Sequence, residues 1–222
     1  MKIHTNHIEI YYTQCGSGTP LILLHGNGEN HHIFDALTAH LQQHFCVYAL
    51  DSRNHGQSSH TGIYDYDVMA EDVHTFIQAL DLGQVNLLGF SDGAIISLLL
   101  AIRHPQQIKR MALLGVNLRP EDFDAESYQY VKETWENTHA PLFRLMLEQP
   151  DIALESLGNV DIPTLLVAGE NDIYRPELYD DLLNTLPQAE LKIMTGHDHG
   201  SYIIGQHLLY PELLRFFSGT AC

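Results

Sequence analysis

Gly89-Phe90-Ser91-Asp92-Gly93 is the segment of this chain whose residue types and spacing most directly imply chemistry. An apolar run, Val85 to Leu88, enters it, and a helical pattern, Ala94 to Arg103, leaves it. In such a strand–turn–helix the serine takes a strained backbone conformation, and the glycines two residues to either side leave room for the turn. The hydroxyl then stands at a helix N-terminus, where backbone amides and the helix dipole favour developing negative charge. A serine hydroxyl is a weak nucleophile until a neighbouring base takes its proton, and that base needs an orienting acid. Candidates follow in the order acid, then histidine. Asp172 lies in Gly169-Glu170-Asn171-Asp172, just past the apolar run Thr164 to Val167. His197 and His199 lie in Gly196-His197-Asp198-His199-Gly200, just past Leu191 to Met194. Glu170 is the fallback acid. Asp161 precedes its strand, and Asp198 would have to orient its own neighbour in sequence.

Other reactive residue types read more simply. The pairs His31-His32 and His197-x-His199 use side chains that suit transition metals. No third or fourth ligand accompanies either at convincing spacing, so neither a metal nor any other cofactor is expected. His25, beside Gly26, reads as a structural hydrogen-bonder. The three cysteines, Cys15, Cys46 and Cys222, are odd in number, widely spaced and without a CxxC. They read as free thiols of a reducing cytoplasm rather than a disulfide framework.

The elements that must position these residues alternate along 222 residues, a length that fits one well-buried domain. Ile8 to Thr13 alternates and is followed by the turn cluster Cys15 to Pro20. Leu21 to Leu24, Cys46 to Leu50, Val85 to Leu88, Met111 to Leu114 and Thr164 to Val167 are short apolar runs, the pattern of strands covered on both faces. Met69, Val73, Phe76, Ile77 and Leu80 mark one face of a helix between two of them. The fold class is therefore α/β, a mostly parallel sheet with helices on both faces. From about Leu118 to Val160 the alternation stops. Ala125, Tyr128, Val131 and Trp135 fall at helical spacing, Pro141 interrupts, and Leu142 to Leu147 forms a second short helix. This segment reads either as two ordinary surface helices, each with a core stripe, or as a small lid over a site, with Tyr128, Tyr130, Trp135 and Phe143 as pocket wall.

Lys and Arg number 11 against 28 Asp and Glu, a formal net charge of −17. Such a surface repels phosphate backbones and anionic lipid, so neither nucleic acid nor membrane is an expected partner. No stretch reaches the roughly 18 apolar residues of a membrane helix, and the polar start lacks the apolar core of a secretory signal.

Taken in order, four motifs resemble those of the α/β-hydrolases, and the resemblance spans essentially the whole chain. His25-Gly26-Asn27-Gly28 resembles the family's HGxG turn. Asp51-Ser52-Arg53-Asn54-His55-Gly56-Gln57-Ser58 resembles its DxRGxGxS loop, with Asn54 in place of the usual glycine. Gly89 to Gly93 resembles the nucleophile elbow, and Gly169 to Asp172 the acid loop. The resemblance implies a catalytic triad of Ser91, Asp172 and one of the two histidines. It also implies an oxyanion hole built from the backbone amides of Asn27 and Asp92. The family's usual distance from histidine to the closing helix, which ends at Phe216-Phe217, favours His199 over His197. The implied activity is cleavage of small carboxylic esters through an acyl-enzyme. Thioester, amide and C–C bond hydrolysis use the same constellation, and a ligand receptor with little turnover is the rival of another class. Asp92 reads either as an acid at the start of its helix or as a carboxylate for a substrate ammonium. The second role is implied by a local similarity, in the Ser91-Asp92-Gly93 elbow and the Leu113 to Asn117 strand end, to valacyclovir-hydrolase-like enzymes.

Overall fold

A computed structural model describes residues 1–219; Cys222 lies outside the described residues. Eight strands form one sheet: β1 (Lys2–Thr5), β2 (Ile8–Gly16), β3 (Pro20–Leu24), β4 (Cys46–Leu50), β5 (Val85–Phe90), β6 (Ile108–Leu114), β7 (Thr164–Asn171) and β8 (Ala189–Asp198). Their order across the sheet is β1-β2-β4-β3-β5-β6-β7-β8. Only the β1–β2 and β2–β4 pairings are antiparallel. The helices are α1 (Asp35–Leu41), α2 (Tyr66–Ala79), α3 (Asp92–Arg103), α4 (Ala125–Thr138), α5 (Pro141–Glu148), α6 (Glu177–Thr185) and α7 (Tyr210–Ser218).

The continuous apolar runs follow from burial on both faces of the parallel strands. Along β3, Leu21 and Leu23 join α1 and α7 in one core, while Ile22 and Leu24 join α2, α3 and α6 in the other. All four are essentially fully buried. Parallel strands put every strand-to-helix loop at one sheet edge, and chemistry gathers there. The excursion between β6 and β7 carries α4, α5 and two short 3-10 turns, with no extended strand among the described residues. Two polar devices brace the edge. Arg53 donates from Nε and Nη2 to Asp72 at 2.6 and 2.7 Å, both side chains buried. Asn54 has φ +65, a conformation that Asn tolerates better than most residues. Its side chain donates to the Ile63 carbonyl at 2.6 Å and accepts from the Thr61 amide at 2.7 Å.

Candidate active site

β5 delivers Ser91 into a turn with φ +52 and ψ −117, a strained conformation for a residue with a side chain. Its amide donates to the Leu114 carbonyl at 2.8 Å, which ties the turn to β6. The flanking glycines are there for room. A Cβ on Gly89 would stand 2.1 Å from the Gly93 carbonyl oxygen, and one on Gly93 would stand 2.1 Å from that of Leu24. Ser91 is the N-cap of α3 but makes no side-chain capping bond, so its hydroxyl is left for another partner.

That partner is His199, whose Nε2 lies 3.0 Å from Ser91 Oγ. Its Nδ1 lies 2.7 Å from Asp172 Oδ1. An ionised carboxylate only accepts, so Nδ1 carries the proton and Nε2 presents a lone pair to the serine. Asp172 is fixed in turn. Its Oδ1 accepts from the Ile173 amide at 2.8 Å and its Oδ2 from the Gly169 amide at 3.0 Å. Phe90 packs on one side of the His199 ring and Tyr174 meets it edge-on at 5.4 Å. Gly115, at φ +59, leaves the space the ring occupies: a Cβ there would stand 2.5 Å from His199 Cε1.

Asn27 faces the serine from the turn after β3. Among the described residues neither its backbone amide nor that of Asp92 has a protein acceptor, and the first amides of a helix are free of intrahelical partners in any case. His25 is structural. Its Nδ1 donates to the Gly26 carbonyl at 2.8 Å and its Nε2 accepts from the Ser52 amide at 3.0 Å. Burial, with His55 adding to it, pushes its pKa down to about 4. A cavity of about 470 Å³ opens over Ser91 and His199, walled by Phe90, Phe143, Met146, Ile173 and Ile204.

Other expectations fall elsewhere. Phe143 does line this cavity, but Trp135 lines a separate one with Tyr64 and Arg144. Tyr128 and Tyr130 are exposed. The reason is packing: α5 lies next to the serine, its Leu142 carbonyl bonded to Asn27 Nδ2 at 3.2 Å, and Val131 alone is buried on α4. The Asp92 carboxylate is also not on the cavity wall. It is buried, accepting from Tyr66 Oη at 2.8 Å and Asn27 Nδ2 at 3.0 Å, and burial raises its pKa. It makes no helix-capping bond either. His197 turns to Ser201 Oγ at 3.1 Å, and Glu170 accepts from the Gly196 amide at 2.7 Å. Glu29, not among the expected site residues, does line the cavity, its Oε2 accepting from the Gly26 amide at 2.9 Å. Its place in the turn after His25 is the one signal that could have found it.

Neither histidine pair noted in the sequence is a metal cluster among the described residues. One group with metal-ligand spacing, Glu71, His74 and His104, sits at the far end of α3 from Ser91. Its imidazoles are stacked 3.6 Å apart, and one nitrogen of each is bonded, His74 Nδ1 to Gln107 and His104 Nε2 to Glu71.

Residues 19–149 match the family model described as alpha/beta hydrolase fold. The serine hydrolase BPHL of Mus musculus is 27% identical over 237 residues, covering 91% of this chain and 80% of that protein. Ethanol acetyltransferase 1 of Cyberlindnera jadinii is 34% identical over 117 residues, covering 51% of this chain. This chain spans only 34% of that protein's length. Among solved structures, MGS-M2, an alpha/beta hydrolase enzyme from a Medee basin deep-sea metagenome library, superposes with a TM-score of 0.83 at 21% identity, covering 100% of this chain and 98% of that one.

Proposed function

The chain belongs to the α/β-hydrolase fold family, and from that premise we propose that it is a serine hydrolase that cleaves small carboxylic esters through an acyl-enzyme. The observation that carries the reading is the unbroken hydrogen-bonded run from Ser91 Oγ through His199 to Asp172. Ser91 Oγ attacks the ester carbonyl carbon as His199 Nε2 takes its proton. The carbonyl oxygen becomes an oxyanion, held by the Asn27 and Asp92 amides. Collapse breaks the bond to the alcohol oxygen, which leaves with the proton from His199. Water then repeats the sequence on the acyl-enzyme and frees Ser91. Asp172 keeps the imidazole in the right tautomer and balances its charge.

The substrate class follows from the walls. An apolar cavity of about 470 Å³, with no Lys or Arg among its lining residues, suits a small ester better than a long or anionic one. The excursion carrying α4 and α5 acts as a short lid, with Phe143 and Met146 as its inner surface. The half-buried thiols Cys15 and Cys46, unpaired with each other, fit a reducing cytoplasm.

The test is direct. Ser91→Ala is expected to fold normally and lose nearly all turnover of p-nitrophenyl acetate, and a serine-directed phosphonate is expected to label Ser91 alone. His199→Ala should lower the rate by about 10² to 10⁴, the usual worth of general-base help, and His197→Ala far less. Undiminished turnover in Ser91→Ala, or label on another serine, refutes the reading.

A further inference from the structure

Asn27 is the weak point of the site described above. Its amide has to aim at one oxygen, yet glycine stands on both sides of it, and Gly28 has φ +71. Glycine flanks give a turn more freedom than any other residue would. The neighbouring amides are anchored, Gly26 to Glu29 Oε2 at 2.9 Å and Gly28 to His55 Nε2 at 3.1 Å, but neither bond reaches Asn27 itself.

The side chain of Asn27 fixes its own residue through two further bonds. Nδ2 donates to Asp92 Oδ2 at 3.0 Å and to the Leu142 carbonyl at 3.2 Å. Asp92 is itself pinned, because its other oxygen accepts from Tyr66 Oη at 2.8 Å. Tyr66 is 1% exposed and Asp92 5%. The network therefore joins the start of α2, the first turn of α3, the turn after β3 and helix α5 around one carboxylate. No Lys or Arg pairs with that carboxylate among the described residues. An unpaired buried acid is expensive, and its stabilisation here comes from two donors and the N-terminus of α3. Both of its oxygens are engaged by the protein, and neither lies on the cavity wall.

We propose that Asp92 and the Asn27 side chain are positioning residues: with Tyr66 they form a buried brace that holds the Asn27 amide on the carbonyl oxygen and ties α5 to the site. The inference rests on the ester-hydrolase reading, and it replaces the role of Asp92 as an ammonium binder.

The experiment is a double-mutant cycle of Asn27→Ala, Asp92→Ala and the pair together, with Asp92→Asn and Tyr66→Phe beside them. Turnover of p-nitrophenyl acetate is measured per active site titrated with a phosphonate, alongside binding of a boronic acid that mimics the tetrahedral state. Losing an oxyanion donor outright costs about 10² to 10³ in kcat. A donor that is present but unbraced should cost less, about 10- to 100-fold, with KM within a factor of about two. Boronate affinity should fall by the same factor as kcat. The double variant should be little worse than either single one, because both remove one brace. Asp92→Asn should recover most of the loss, since its amide oxygen can accept from Asn27 while its NH₂ donates to Tyr66. Backbone amide order parameters at Asn27 should fall in Asp92→Ala and Tyr66→Phe, a readout that needs no substrate. Should Asp92→Ala fail to fold, Asn27→Ala and Tyr66→Phe carry the test.

Unchanged kcat in Asn27→Ala, additive losses in the double variant, or an equally rigid Asn27 amide in Asp92→Ala overturns the brace. A preference for amine-bearing esters that disappears in Asp92→Asn overturns it in favour of ammonium binding. Ester turnover that survives Ser91→Ala refutes the underlying reading instead, so the two failures are distinguishable.

Discussion

Gly115 shows how much of this site is decided by one missing methyl group. It lies at the end of β6 with φ +59, and His199 occupies the space a Cβ would fill. Gly115→Ala would strain the backbone and push the imidazole off Ser91 Oγ. A misplacement of about 1 Å at the reacting groups can cost about 100-fold in rate. We expect a loss of at least that size in ester turnover, with a thermal midpoint lowered by only a few degrees, read by paired kinetics and calorimetry. Full activity would mean that His199 has more freedom than its contacts with Phe90, Tyr174 and Asp172 allow. Nothing in the sequence around Gly115 announces this duty, because the ring it accommodates arrives from 84 positions further along the chain. Ser91 was legible for the opposite reason: strand, glycines, nucleophile and helix are contiguous. Asp172 and the pair His197 and His199 were legible from their places just past apolar runs, where the elbow made it sensible to look, but the choice of His199 came only from the family's usual distance to the closing helix. Glu29 and the engagement of Asp92 by Tyr66 and Asn27 were not, since each depends on contacts between separate elements.

At the level of elements, the parallel strands stood out because burial on both faces leaves an uninterrupted apolar run. Strand β1 did not stand out. It is four residues long with only Thr5 buried, and it exists by pairing with β2 through a tight turn in which Asn6 and His7 both have positive φ. Helices α1 and α6 are short, with no side-chain cap to mark their starts. The lid segment was legible as two helices, but which one faces the serine was not, because that depends on how α4 and α5 pack on the sheet. The turn after β3 makes a prediction of its own through His25. Its imidazole is locked neutral between Gly26 and Ser52, beside His55, His31 and Asp51, with a pKa near 4 against an ordinary 6.5. The unfolded chain gains a proton at His25 as pH falls below 6.5, and the folded chain does not until about 4. Its contribution is therefore whole above pH 6.5 and lost as pH falls toward 4, a total of about 3 kcal/mol. Buried acids such as Asp72 and Asp92, whose pKa values are raised, act in the opposite direction. The check is thus a comparison: urea unfolding of wild type and His25→Gln across this range, with the variant showing the shallower loss. Parallel curves would show that His25 takes up its proton in the folded chain as readily as in the unfolded one.

Across the whole molecule the force of longest reach is charge. Twenty-eight Asp and Glu against 11 Lys and Arg give a field that draws cations toward every cleft, including one with Glu29 and Asp198 on its wall and no Lys or Arg among its described lining residues. Two contributions to substrate choice then differ in range. The global field acts across about 30 Å at 10 mM salt and about 3 Å at 1 M, so it is screened away. A carboxylate inside a partly closed cavity is screened much less, and Glu29 is held there by the Gly26 amide with burial raising its pKa. For an ammonium-bearing ester and its neutral isostere, the ratio of kcat/KM should favour the cation at 10 mM salt and shrink several-fold by 1 M. The part that survives high salt should fall in Glu29→Gln, while the salt-dependent part, which belongs to the remaining surface, stays. Kinetics of the two esters in both proteins across the salt series separates these contributions. A ratio that ignores salt would mean that the net charge of −17 does not reach the cleft. A high-salt preference untouched by Glu29→Gln would mean that the carboxylate's bond to Gly26 leaves nothing for a substrate.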